Sequence, residues 1–86
     1  MAKTESAGRK LRELRASLGL SMRDVYAASE VVAGGKRSRR FLLPPSRLSE
    51  IERGEAVPNI YRMCSLAFAY NVPLRMLLEF YGAWWG

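Results

Sequence analysis

Pro44 and Pro45 stand side by side at the centre of the chain, and no helix passes through them. Proline lacks the amide donor, and its ring clashes with the preceding turn in a helix interior. The segments on either side of residue 44 are therefore separate elements. Gly19, the pair Gly34 and Gly35, Gly54, Pro58, Asn71 and Pro73 punctuate the rest, leaving room only for short elements. No alternating strand pattern lies between these breaks.

Helical spacing does. Leu11, Leu14 and Leu18 fall at i, i+3 and i+7, predicting a helix from about Ser6 to Leu18 that Gly19 ends in the left-handed position. Ser21 caps a second helix, with Asp24 three residues on in a capping-box arrangement. Val25, Ala28 and Ser29 lie on one side of it, and the spacing runs on through Val32 until Gly34 and Gly35 are expected to stop it. Pro45 suits the first position of a short third helix carrying Leu48 and Ile51, closed by Gly54. Pro58 or Asn59 begins a fourth to about Tyr70, where Asn71 takes the left-handed position. Pro73 opens a fifth, ending near Tyr81. The expected fold is all-α, one five-helix domain over 1–86, with residues 1–5 flexible and 82–86 an aromatic tail. For residues 31–43 a small β-hairpin is the alternative to helix plus loop.

A chain of 86 residues makes one domain, burying about 60–65% of the surface its unfolded form exposes. One cysteine, Cys64, and no histidine exclude a Cys-His metal site and a histidine base, so neither metal nor cofactor is expected. No phosphate-binding glycine loop or paired carboxylates point to an enzyme. No apolar run approaches the ~20 residues of a membrane span, and no signal-peptide core follows Met1, which predicts a cytoplasmic protein. Of the net charge of +6, all lies early: Met1 to Arg53 carries twelve Lys or Arg against six Asp or Glu, and the remainder two against two. A basic half beside a neutral, aromatic half predicts one face for a polyanion and another for the core or a protein partner.

The stretches "GRKLRELRASLGLS", "MRDVYAAS", "SRLSEIERGEAVPNI" and "LAFAYNVPLRMLL" cover nearly the whole chain. In this order and spacing they resemble the lambda-repressor-like (Cro and xenobiotic-response-element type) helix-turn-helix family. "LSEIERG" before a proline-bearing turn is the most specific piece. The resemblance implies a transcriptional regulator, a repressor by expectation, which binds double-stranded DNA as a homodimer and is nucleoid-associated. Its recognition helix, about 45–53, would lie in the major groove.

The resemblance assigns roles position by position. Arg15 would pair with Glu52. Ser21, Met22 and Arg23 would meet phosphate, although Met22 stands where the family usually has glutamine and contributes only its backbone amide. Pro45, Ser46 and Glu50 fall on base-reading positions, with Arg47 and Ser49 beside them. No glutamine or asparagine stands in that helix, so Arg47 for guanine and Glu50 for cytosine imply a preference for G·C pairs. In the family the second and third helices meet in a tight turn. Here about a dozen residues, 32–43, intervene: a basic insertion. Its apolar ends, Val32 and Phe41, Leu42 and Leu43, are expected to tuck onto the domain, with Lys36, Arg37, Arg39 and Arg40 presented beside the recognition helix to grip phosphate. Outward aromatic and apolar residues, Tyr61, Phe68, Met76, Trp84 and Trp85, mark a dimer or partner face. The competing reading is an antitoxin-like protein-interaction module that uses this face, with DNA binding secondary.

Overall fold

The computed structural model describes residues 3–82. It contains five helices, α1 (Lys3–Ser17), α2 (Met22–Lys36), α3 (Pro45–Glu52), α4 (Ile60–Tyr70) and α5 (Leu74–Phe80), with a 3-10 turn at Arg39–Phe41 between α2 and α3. No strand occurs among the described residues, which removes the hairpin alternative for 31–43. Trp84 and Trp85 lie outside the described residues.

The core draws one or more apolar side chains from every helix: Leu11, Val25, Leu48, Ile51, Met63, Leu66, Tyr70 and Leu77, with Leu43 from the insertion. α2 lies along α4, and α1 bridges α3 and α5. The local signals act where they stand. Ser21 Oγ accepts from the Asp24 amide and the Asp24 carboxylate accepts from the Ser21 amide, a complete capping box. Chiefly through the Ser21 amide, this holds the Asp24 carboxyl below its ordinary value. Pro45 is the first residue of α3, Asn59 caps α4, and Asn71 closes it at φ 55°.

Residues 3–5 belong to α1, whose Gly8 lies against the Ile51 and Glu52 carbonyls at the end of α3. Two expectations are corrected. Leu18 is exposed, since α1 stops at Ser17 before that position can complete the stripe. The glycine pair does not end α2, which runs on to Lys36. It stops at Arg37, which adopts left-handed φ 53°, while the Ser38 amide reaches back to the Ala33 carbonyl. Neither Gly34 nor Gly35 is required here, because a Cβ at either meets nothing within 4 Å. Gly34→Ala and Gly35→Ala are each expected to stabilise the fold by up to about 1 kcal/mol through helix propensity. A chemical denaturation midpoint that falls in either variant contradicts this.

The return limb of the insertion is fastened to the domain by side chains. Ser65 Oγ donates to the Phe41 carbonyl at 2.6 Å, Arg62 Nε to the Leu42 carbonyl at 3.0 Å, and the Leu43 amide to Ser29 Oγ at 3.0 Å. Three consecutive residues that no helix ladder satisfies thus find partners on α2 and α4. Leu43 is fully buried, and Phe41, Leu42 and Val32 are half-buried, so the apolar ends do tuck in. Ser29 also donates to the Tyr26 carbonyl at 2.6 Å. Ser29→Ala leaves the buried Leu43 amide unpaired and is expected to cost about 1–3 kcal/mol in denaturant unfolding.

Candidate nucleic-acid interface

Arg15 and Glu52 meet as the resemblance implies. Arg15 Nε lies 2.6 Å from Glu52 Oε2 and Nη2 lies 2.9 Å from Oε1, a two-pronged pair between α1 and the last residue of α3. The third prong, Nη1, donates to the Leu20 carbonyl at 3.0 Å, tying in the turn before α2. Only 3% of the Glu52 side chain and 16% of Arg15 are exposed, and the bond to Glu52 raises the Arg15 pKa. Beside them the Tyr70 hydroxyl is buried without a hydrogen-bond partner. That burial, and then the Glu52 charge, push its phenol above its ordinary value. Arg15 therefore ties together α1, the end of α3 and the turn before α2.

Above this pair opens a cleft of about 240 Å³, lined by Arg12, Arg15, Met22, Ser49, Glu52 and Arg53. Arg12 and Arg53 are exposed on its walls, and Met22 brings the first residue of α2 to it. A second, shallower groove of about 430 Å³ separates Arg23 and Tyr26 from Pro45, where the starts of α2 and α3 come together. Both grooves lie where α3 faces the start of α2, one toward each end of the helix. On α3, Ser46 and Arg47 are exposed, and Pro45, Ser49 and Glu50 are half-buried. Arg47 Nη1 is paired with Glu50 Oε1 at 3.0 Å, so both charged base-reading candidates hold each other in the free protein. Ser21 is exposed, and its oxygen is engaged by the Asp24 amide, which leaves its hydroxyl proton to donate.

Arg12, Tyr26 and Arg53 did not emerge from the sequence. A signal existed for two of them. Arg12 lies one helical turn before Arg15, and Arg53 follows Glu52 directly, so the ion pair pointed at both.

The 3-10 turn of the insertion packs on α2 and α4. Arg40 lies over the Tyr61 ring at 5.4 Å from its centroid and donates to the Tyr61 hydroxyl at 3.1 Å. Phe41 meets the same ring edge-on at 5.2 Å. Lys36 lines an apolar groove of about 450 Å³ with Val31, Val32, Gly35, Cys64 and Phe68. Lys36 and Arg40 thus stand beside residues of α4. Arg37 and Arg39 are exposed. Of the expected aromatic face, Tyr61 is occupied by the insertion, Met76 is half-buried, and Phe68 stays 56% exposed. No metal-binding cluster of His, Cys, Asp or Glu occurs among the described residues, and no described helix is long and apolar enough to cross a membrane.

No family model matches the chain, and no solved structure matches it. Among curated proteins the chain is similar to the HTH-type transcriptional regulator DdrOP3 of Deinococcus deserti, with 33% identity over 76 residues. The match takes in 85% of this chain and 50% of that relative, so the chain spans about half the relative's length.

Proposed function

We propose that this is a sequence-specific double-stranded DNA-binding regulator of transcription, a repressor acting as a homodimer, with α3 in the major groove. The observation that carries the reading is the locked α1–α3 junction. The Arg15–Glu52 pair ties a short helix with an exposed outer face to α1, and the grooves toward its two ends carry Arg12, Arg23 and Arg53. Cations grouped around an exposed helix match what a duplex offers, a groove floor bordered by phosphate. The similarity to a helix-turn-helix regulator supports the same partner.

Ser21, Met22, Arg23, Arg12 and Arg53 hold phosphates in this reading, and Pro45, Ser46, Arg47, Ser49 and Glu50 face base edges. To reach a guanine, Arg47 must exchange Glu50 for the base. Glu50, so released, is free to accept from a cytosine amino group. Two copies would set their α3 helices about 34 Å apart on a pseudo-palindromic site. Arg47→Ala is expected to cost about 1–3 kcal/mol on the preferred sequence and to relax choice at one position. Neutralising Lys36, Arg37 and Arg39 is expected to flatten log K against log salt by about 0.9 for each phosphate that the insertion no longer neutralises. An unchanged slope would exclude the insertion from phosphate binding and leave α3 standing as the reader.

The deciding experiment is retention of a random duplex pool at two salt concentrations, followed by sequencing. A two-fold symmetric enriched motif is the expected result. One observation favours the second reading, a protein-interaction module: the apolar groove beside the exposed Phe68. Retention without any motif, together with co-purification of a stoichiometric protein, would move the function there.

A further inference from the structure

Arg53 is the cation nearest the end of α3, and every prong of its guanidinium is already in use. Nε and Nη2 each lie 3.0 Å from a carboxylate oxygen of Glu55, and Nη1 donates to Ser49 Oγ. The turn at Gly54, with φ 77°, brings residue 55 back alongside residue 53. That geometry reproduces what a phosphate would present: two oxygens, side by side, accepting from one planar fork. Arg53, which the carboxylate holds, lines the cleft with Arg12, Met22 and Ser49. Both partners register the bond, with the Glu55 carboxyl held below its ordinary value and the Arg53 guanidinium raised, each chiefly by the other.

We propose that Glu55 is an intramolecular competitor for DNA phosphate, a positioning residue that holds Arg53 and so lowers affinity for every duplex, whatever its sequence. The inference rests on the reading of this face as the DNA interface. Its physical basis is an exchange. When Arg53 takes a phosphate it must release Glu55, and the released carboxylate is left beside the phosphate strand, where like charges repel. The net gain from Arg53 is therefore smaller than that of a cation with no such partner. A regulator gains from this, because non-specific retention is almost wholly electrostatic. Arg12, on the opposite wall of the cleft, forms no ion pair among the described residues and is the natural comparison.

The test is a four-member cycle: the parent chain, Glu55→Gln, Arg53→Gln and the double variant. A fifth, Glu30→Gln, removes one negative charge from the exposed face of α2 and reports the general effect of net charge. Each is titrated with a random-sequence duplex across a range of salt. Glu55→Gln is expected to bind roughly two- to fivefold more tightly than Glu30→Gln, the factor set by the strength of an exposed ion pair. Its salt slope is expected to steepen by about 0.9, one further phosphate fully neutralised. In the Arg53→Gln background the gain should shrink to that of Glu30→Gln. Equal gains in both backgrounds, or a gain no larger than the Glu30→Gln control, overturn the role of Glu55 and leave the DNA-binding reading intact. Failure of the parent chain to bind duplex in a salt-dependent manner overturns that reading, and this inference with it. Both side chains are exposed and neither supports the core, so a folding defect does not confuse the outcome.

Discussion

Arg15→Ala is expected to destabilise the fold by about 3–5 kcal/mol, the usual result of removing one partner from a buried ion pair. Three losses coincide. The Glu52 carboxylate, with 3% of its side chain exposed, loses both hydrogen bonds and has little water to replace them. The Leu20 carbonyl loses its donor, which frees the turn between α1 and α2. The third loss is the packing of the arginine stem. Against a total stability of roughly 5–15 kcal/mol for a domain of this kind, such a change takes away a large share. Removing both charges together is a different matter. Arg15→Met with Glu52→Leu restores packing without a stranded charge and should recover most of the loss, since a buried pair is often no more stabilising than apolar residues of similar size. Urea unfolding of the single and double variants separates these outcomes. A destabilisation below about 1 kcal/mol in Arg15→Ala, the level of an exposed pair, would mean that water reaches Glu52 freely.

The second large effect comes from the smallest side chain. Gly8→Ala adds one methyl group to the middle of α1, where helix propensity alone would favour alanine by up to about 1 kcal/mol. In the folded chain the added Cβ would overlap the Ile51 carbonyl oxygen and lie 2.8 Å from that of Glu52. Both obstacles are backbone, so no rotamer change relieves them and α1 must move off α3. That displacement lengthens the Arg15–Glu52 bonds as well, and the net expectation is a loss of about 1–3 kcal/mol, the range for overpacking. The comparison with Gly34→Ala gives the result its meaning. One substitution, made twice within helices of one protein, should move the denaturation midpoint in opposite directions. A Gly8→Ala variant as stable as the parent would show that the helices can separate at little cost.

The helix plan was legible because short-range chemistry writes it. Proline at 44, 45 and 73, the Ser21–Asp24 box and Asn59 and Asn71 act within four residues of themselves, and each stands at an element boundary. Arg15 and Glu52 were found at a separation of 37 residues only because the order of motifs resembled a known arrangement. Glycines misled where tertiary contact outweighed local preference. The Gly34–Gly35 pair lies within a helix that α4 supports, while Gly8 carries a close approach that no local pattern announces. The cations were harder still. A charge count places Lys36 to Arg40 on the surface but not on a side of the molecule, and Arg40 lies with Phe41 against the Tyr61 ring. Arg12 and Arg53 carry no local signal of their own; only their closeness to Arg15 and Glu52, once that pair is known, points to them.

The fastening of Phe41, Leu42 and Leu43 by Ser65, Arg62 and Ser29 has a consequence for how such a chain can change. In a tight helix-turn-helix the turn itself sets where the second helix lies, so an altered turn is an altered reader. Here three side chains on α2 and α4 hold the return limb, while Arg37 and Arg39 are exposed outside that clasp. Charge can be varied at those two positions while the helix beginning at Pro45 stays where the clasp holds it. Mutation can therefore retune one surface of this molecule without disturbing the alignment of the other.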